Sequence, residues 1–400
     1  METRRLQAPI RQDLQNKIVI LSGPRQCGKT TIARKIASFS ESRYYNWDNQ
    51  KDRLIIQNNE IDLNTKILLF DELHKFRRWR GFLKGLYDQL KEPDHLEPQI
   101  LVTGSGRLEA YSHGGDSLQG RYFGHRLHPF TLSELSGLPF QNTAGLENIF
   151  DLPLGKKDHL DALFQFSGFP EPLLAGSNRN ANRWRNAYSE RLVQEDVRSL
   201  ENIKELEKME LLYDRLSDCA GSVLSINSLR EDLEVAFETV RNYILIFEKL
   251  YAIFRIPPFG PARIKAVKKE QKLYFFDWAR AGSDGSRIEN MIALHLLRFV
   301  HWMHDVEGEK WDLRYFRNRD GHEVDFVLLK NRKPWAAIEC KLGDANLSPS
   351  LKYLLERVEF PHAFQVVHDL PPEKEKSIAG FGKAKKIHIV SSRRFLSALA

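Results

Sequence analysis

The 400-residue chain has no stretch of about 18 or more apolar residues, so no membrane-spanning helix is expected. Its opening Met1-Glu2-Thr3-Arg4-Arg5 leads into polar sequence and lacks the apolar core of a signal peptide. Cysteine is scarce: Cys27, Cys219 and Cys340 make neither a metal-ligand spacing nor a disulfide framework. A reduced, cytoplasmic setting is the expectation. A strong charge of one sign is also missing. The net charge of +7 is modest for this length and permits nucleic-acid binding without requiring it. The length itself exceeds one ordinary core, so several domains are expected.

What is present begins with Gly23-Pro24-Arg25-Gln26-Cys27-Gly28-Lys29-Thr30-Thr31, a phosphate-binding loop pattern. Before it, Lys17-Ile18-Val19-Ile20-Leu21 reads as a buried strand, and Thr31 to Ala37 after it reads as a helix. Glycines let the loop curl so that backbone N–H groups and the helix N-terminus face an anionic triphosphate. Lys29 is expected on the outer phosphates and the Thr30 hydroxyl on Mg²⁺. ATP and Mg²⁺ are thus the expected ligands.

A second apolar run, Lys66 to Phe70, ends in Asp71-Glu72. Its lack of polar alternation suits a central strand buried on both faces, and its end lies where open α/β sheets bind ligands. Asp71 is expected to hold Mg²⁺ and Glu72 to polarise the attacking water. A third strand, Gln99 to Ser105, ends in small hydroxylated residues, with Ser105 the candidate polar sensor near the γ-phosphate and Thr103 the second choice. Downstream, Arg121 and Arg126 are candidates to stabilise charge on the transferred phosphoryl, in cis or from a neighbouring subunit, with Arg121 preferred.

These motifs resemble those of the prokaryotic AAA-type (AAA+ superfamily) ATPases that carry a C-terminal domain of unknown function 4143. Further matches are Thr103-Gly104-Ser105, Gly120-Arg121, Pro129 to Glu134, Gly168-Phe169-Pro170-Glu171, Lys272 to Asp277, Glu323 to Phe326 and Ile338-Glu339-Cys340-Lys341. The resemblance covers nearly the whole chain. It implies an ATPase and sharpens the architecture more than the biological role.

After Pro139 the sequence turns polar (Gln141 to Gly145), which reads as a linker. Helical spacing from Lys156 to Leu200 is expected to form a lid over the ATPase core. Three short helices follow, at Glu210 to Ala220, from Leu224, and at Glu238 to Leu250; Tyr251 to Ile256 then reads as a strand. That order suggests a winged helix, its third helix a candidate reader of the DNA major groove. Arg241 and Lys249 on it are balanced by Glu238 and Glu248, so DNA contact, a structural module and a protein docking site all stay open.

At the C-terminal end, strands are expected over Arg314–Arg317, His322–Leu329 and Trp335–Leu342, the last two forming a hairpin centred on Arg332. Asp325 would then face Glu339, and Glu323 would face Lys341, all on one face with Val327, Leu329, Trp335 and Ala337; Val324, Phe326, Ile338 and Cys340 would take the other. Two carboxylates and a lysine suit metal-dependent phosphodiester cleavage, with Asp325 and Glu339 on Mg²⁺ and Lys341 orienting or deprotonating water. This resembles the restriction-endonuclease-like core of the PD-(D/E)xK type, and Glu289 matches the extra acidic residue that such a fold supplies. The competing reading is a solvated face with a Glu323–Lys341 ion pair worth under about 1 kcal/mol.

The expected fold class is therefore α/β: a P-loop AAA-type core over residues 1–140, a helical lid over 141–205, a winged-helix-like part over 206–260 and a nuclease-like domain over 261–400. Two functions compete. One is ATP-dependent action on nucleic acid with C-terminal cleavage; the other is a non-cleaving ATP-driven switch that binds DNA or a protein partner. A homo-oligomer is compatible with both, and no membrane partner is expected.

Overall fold

Buried strands need both faces covered, and the first part of the chain supplies the covering helices from its own crossovers. The computed structural model describes residues 4–37, 41–91, 96–106, 118–139, 143–197, 205–260 and 271–399. Gln141, Asn142 and 198–200, which the sequence reading included, lie outside them. The chain divides into two units. The first holds residues 1–129 with 199–202 and 249–251; the second holds 130–198, 203–248 and 252–400.

In the first unit, helix α1 (Gln7–Asp13) precedes β1 (Ile18–Ser22), which is buried throughout. Then follow α2 (Lys29–Ile36), β2 (Ser42–Asn46), α3 (Gln50–Asn58), β3 (Ile67–Asp71), α4 (Trp79–Leu90), β4 (Gln99–Gly104) and β5 (Tyr122–Arg126). The five strands are parallel in the order β2-β3-β4-β1-β5. This is a P-loop NTPase sheet. Its order brings the C-terminal ends of β1, β3 and β4 side by side, so three loops far apart in sequence share one edge.

One core cluster joins Ile18, Ile20, Leu68, Phe70, Ile100 and Val102 of the sheet to Trp79, Leu83, Leu86 and Leu90 of α4. Burying each such side chain contributes about 1.5–3 kcal/mol, which fixes the strand ends. The apolar positions of α4 recur at helical spacing, the pattern that turns one stripe to the sheet.

The second unit opens with a short helix, Leu132–Leu135, capped by Thr131 and tied by a buried Glu134–Arg298 ion pair at 2.9 Å. Helices Lys157–Phe166, Pro170–Ala175 and Asn178–Arg191 follow, the last running into a π-helical turn at Leu192–Val197. Next come helices Leu206–Arg215, Ile226–Leu233 and Phe237–Lys249, and an antiparallel pair, β6 (Ile253–Ile256) with β7 (Lys272–Phe275). Ser225 caps the second of these helices by accepting from the Ser228 N–H at 3.3 Å. The first is shorter than expected, ending at Arg215 and continuing as a 3₁₀ turn, Leu216–Cys219.

The rest is a six-stranded mixed sheet in the order β12-β13-β11-β10-β9-β8, with the helix Asp284–Asp305 before it. Its strands are β8 (Trp311–Arg317), β9 (Glu323–Lys330), β10 (Lys333–Lys341), β11 (Phe360–Val367), β12 (Lys376–Phe381) and β13 (Ala384–Ser391). The helix Pro349–Arg357 packs through Leu351, Leu354 and Leu355 on Val324, Val327, Leu329 and Ala337 of the sheet.

Hairpin β9–β10 departs from simple alternation twice. Its turn is two residues, Asn331 and Arg332, both at positive φ (51° and 65°). A bulge beside Trp335 then adds one residue, so Ala336 pairs with Leu328 and Ile338 with Phe326, the pairing that a turn centred on Arg332 predicts. A second irregularity lies between β8 and β9, where Arg314 pairs with Val327 but Phe316 with Val324. Asp325 and Phe326 together therefore oppose Tyr315. A bulge of this kind re-aims side chains, and it overturns the expected faces. Val327, Leu329 and Ala337 join Val324 under the helix Pro349–Arg357, while Phe326 meets the Tyr274 ring at 5.9 Å.

Candidate functional site

The loop between β1 and α2 holds Gly23, Pro24, Arg25, Gln26, Cys27 and Gly28, and α2 opens with Lys29, Thr30 and Thr31. Gly23 sits at φ +149°, and a Cβ there would lie 2.2 Å from the Leu127 carbonyl oxygen. No other residue fits that approach. Gly28 caps α2 at φ +98°, turning the preceding backbone toward the helix N-terminus. Cys27 is fully buried, and its thiol points at the Leu127 carbonyl at 3.7 Å. The Lys29 ammonium, itself buried, spans the loop and donates to the Gly23 and Pro24 carbonyls at 3.0 and 2.7 Å.

Sheet register brings the distant partners in. Asp71 pairs with Thr103 across β3 and β4, and the Glu72 N–H donates to the Thr103 carbonyl at 3.0 Å. Asp71 is buried and accepts from the Thr30 hydroxyl at 3.0 Å and the Tyr44 hydroxyl at 2.8 Å through the same oxygen; its other oxygen accepts from the Thr103 hydroxyl. Glu72 lies in the left-handed region at φ 56°, which swings its carboxylate to the Ser105 hydroxyl at 3.2 Å. His74 Nε2 and Lys75 Nζ stand 3.7 and 3.5 Å from the Glu72 carboxylate. Burial pushes the His74 pKa down to about 4, so this ring is neutral near pH 7. Burial, and then the Asp71 carboxylate, push Tyr44 up to about 12, which keeps its hydroxyl a donor.

Two expectations change here. Ser105 contacts Glu72, and Thr103 contacts Asp71, so each hydroxyl holds a carboxylate of the site. Arg121 is at the wrong edge of the sheet. It precedes β5, its carbonyl accepts from Ile18 N–H at the start of β1, and its guanidinium pairs with Asp88 at 2.8 Å. Arg126 is the arginine at the loop's edge, because it pairs in register with Ser22 at the end of β1. Parallel register fixes this: the two arginines are five residue steps apart along the strand, about 16 Å of extended chain.

In the second unit, the predicted carboxylates do not converge as expected. Asp325 and Glu289 turn to Lys272 of β7, whose ammonium lies 3.4 Å from Asp325 Oδ1, 3.0 Å from Glu289 Oε1 and 2.6 Å from Glu323 Oε1. Tyr274 donates to Glu289 Oε1 at 2.8 Å, and the Cys340 N–H donates to Asp325 Oδ2 at 2.9 Å. Glu339 instead accepts from Lys341 at 2.8 Å and Ser348 at 3.1 Å. Alternation along β10 from Ala337 puts Glu339 on the face of the helix Pro349–Arg357, whereas the β9 bulge throws Asp325 to the other. Glu323 finds Lys272 rather than Lys341. Among the described residues, no group of three or more His, Cys, Asp or Glu side chains is arranged to hold a metal ion. Mg²⁺ at Asp325, Glu339 and Glu289 thus does not fit this arrangement.

Burial, reinforced by Asp325, raises Glu289 to about 8, and the same causes raise Glu339 to about 7. Burial opposes the charge of Lys272, but Glu289, Asp325 and Glu323 outweigh it and raise its pKa above the ordinary lysine range.

Residues 15–136 match the family model described as an AAA domain. That match falls almost wholly within the first unit. Residues 157–282 match a domain of unknown function (DUF8612), and residues 284–372 match another (DUF4143). An uncharacterized protein of Methanocaldococcus jannaschii is 25% identical over 86% of this chain and 79% of its own length. An uncharacterized protein of Mycobacterium tuberculosis is 24% identical over 69% of this chain and 58% of its own.

Among solved structures, AMPPCP-bound DnaA from Aquifex aeolicus is 14% identical, with a TM-score of 0.31 over 61% of this chain and 87% of that one. The Orc1 protein of Aeropyrum pernix in complex with DNA is 13% identical, with a TM-score of 0.32 over 73% and 93%. Likeness at this level is too distant to carry an argument.

Sequence reasoning missed Tyr44, His74 and Lys75 around the AAA carboxylates, and Lys272 and Tyr274 around the C-terminal ones. His74 and Lys75 follow Glu72 closely and were within reach of a local reading. Tyr44 and Lys272 carry no local signal, since only strand pairing brings each beside its carboxylates.

Proposed function

We propose that the chain binds a nucleoside triphosphate with Mg²⁺ at the AAA loop, hydrolyses it, and uses the cycle as a non-cleaving switch on a nucleic-acid or protein partner. One observation carries the nucleotide reading: the Thr30 hydroxyl meets the Asp71 carboxylate at 3.0 Å, directly beside the loop that Gly23 and Lys29 shape. A hydroxyl and a carboxylate at the C-terminal edge of a parallel sheet form an oxygen-rich set that suits Mg²⁺. Thr30 and Asp71 would hold that ion, which when bound supplies positive charge beside the β- and γ-phosphates.

The protein's own groups divide the remaining work. Lys29 exchanges its loop carbonyls for phosphate oxygens, Glu72 orients and polarises water, and Ser105 fixes the Glu72 rotamer. Arg126 is the arginine placed to meet developing phosphoryl charge. The helices from Lys157 to Val197 are read as the lid, and the three helices with β6 and β7 as a winged-helix-like module. On its third helix Arg241 is paired with Glu238 at 2.8 Å and Glu248 with Arg255 at 2.7 Å. That charge balance favours docking of a partner over major-groove reading. The mixed sheet with its preceding helix is read as the nuclease-like domain, and the arrangement of its carboxylates favours the non-cleaving reading.

Calorimetric titration of ATP and Mg²⁺ into the wild type and Lys29→Ala tests the reading. Binding is expected in the first and lost in the second; equal affinity in both would remove the loop assignment.

A further inference from the structure

Lys272 is a deeply enclosed charge of the second unit, its side chain only 1% exposed. An ammonium has three hydrogens to donate, and three carboxylates surround it, Glu323 at 2.6 Å, Glu289 at 3.0 Å and Asp325 at 3.4 Å. These acceptors come from separate elements: Glu289 from the helix Asp284–Asp305, and Glu323 and Asp325 from β9. The Tyr315 ring lies 5.6 Å from the ammonium and presents a further electron-rich surface. This is the place where a metal ion held by the same carboxylates would sit.

We propose that Lys272 is the built-in cation of this cluster, so that the C-terminal domain takes no divalent metal at Glu289, Glu323 and Asp325 and does not cleave phosphodiesters there. The proposal rests on this geometry alone and is independent of the nucleotide reading.

The hydrogen-bond distances explain why the lysine and a metal exclude each other. Mg²⁺ requires oxygens at about 2.0–2.1 Å in octahedral array, whereas these carboxylates stand at ammonium distances. Their other contacts are also spoken for. Tyr274 donates to the Glu289 oxygen that meets Lys272, and Asp325 gives its second oxygen to the Cys340 N–H. The ammonium reaches them from β7, part of a buried strand pair, so it cannot swing to solvent without disturbing that pair. Buried carboxylates without a cation would repel one another, which is why the fold must supply one.

The test is a Mn²⁺ titration of nucleotide-free protein, read by electron paramagnetic resonance, which keeps it separate from ATP binding. Wild type is expected to show no Mn²⁺ site that Asp325→Asn abolishes. Lys272→Ala is expected to gain one Mn²⁺ site, at least about tenfold tighter than any wild-type binding, and to lose it again in the Lys272→Ala/Asp325→Asn double variant. An Asp325-dependent Mn²⁺ site in the wild type would overturn the proposal, as would a folded Lys272→Ala that binds no Mn²⁺. If Lys272→Ala does not fold, the comparison of wild type with Asp325→Asn decides alone.

Discussion

The Tyr44 hydroxyl donates to Asp71 Oδ2 at 2.8 Å, the same oxygen that accepts from Thr30. Edge strand β2 thereby helps to hold the Asp71 carboxylate in place. Tyr44→Phe removes the bond of a half-buried hydroxyl to a buried charged acceptor, and is expected to cost about 1 kcal/mol of stability. Urea unfolding without nucleotide measures it. An unchanged midpoint would mean that water replaces the hydroxyl without loss.

The two loop glycines should respond differently. Gly23→Ala forces a Cβ to within 2.2 Å of the Leu127 oxygen, a backbone atom that cannot turn aside. Gly28→Ala meets nothing within 4 Å and suffers only the strain of its φ of +98°. Nucleotide affinity is expected to fall by more than about tenfold in the first, while the second loses about 1–2 kcal/mol of stability. Titration calorimetry and thermal unfolding separate the two effects.

Arginine placement gives a third expectation. Arg121→Ala breaks an exposed pair with Asp88 and should leave ATP turnover within about twofold, since such pairs contribute about 0–1 kcal/mol. Arg126→Ala, at the end of β5 beside the loop, should slow turnover by at least about tenfold at unchanged ATP affinity. The reverse order of effects would return the role to Arg121, delivered from a neighbouring subunit.

Much of this site was legible because its parts are local. The glycine spacing around Lys29 and the apolar run ending at Asp71 each announce a strand end through a few consecutive residues, and the sheet then brings those ends together. Ser105 was found for its position, and its partner proved to be Glu72. Which of Arg121 and Arg126 lies beside the loop was not legible, because sequence distance along a motif says nothing about which end of a strand a residue occupies. The C-terminal strands were also legible, down to the pairing of Ile338 with Phe326. Their faces were not. One bulge at Asp325–Phe326 shifts every side chain beyond it, and no residue in the run His322 to Leu329 marks such a bulge.

A fourth expectation follows from the buried acid. Glu289 has a folded pKa of about 8 against about 4.5 unfolded, so the fold favours its protonated form. Its contribution to stability is full below the unfolded value and is lost as pH rises through about 8. Glu289→Gln keeps the shape but cannot ionise. The variant is expected to gain stability relative to the wild type between pH 6 and pH 9, read from urea midpoints at each pH. Parallel curves would show that Glu289 stays ionised in the fold.

The most direct measurement of the central claim is phosphate release at saturating ATP and Mg²⁺ by the wild type and Glu72→Gln, with nucleotide binding measured on the same samples. Asp71, Thr30 and Lys29 are untouched in the variant, so binding should persist while turnover falls by about 10²-fold or more. Wild-type protein that binds ATP and releases no phosphate, or a Glu72→Gln that turns over at the wild-type rate, would contradict the assignment of this site as an ATP hydrolase.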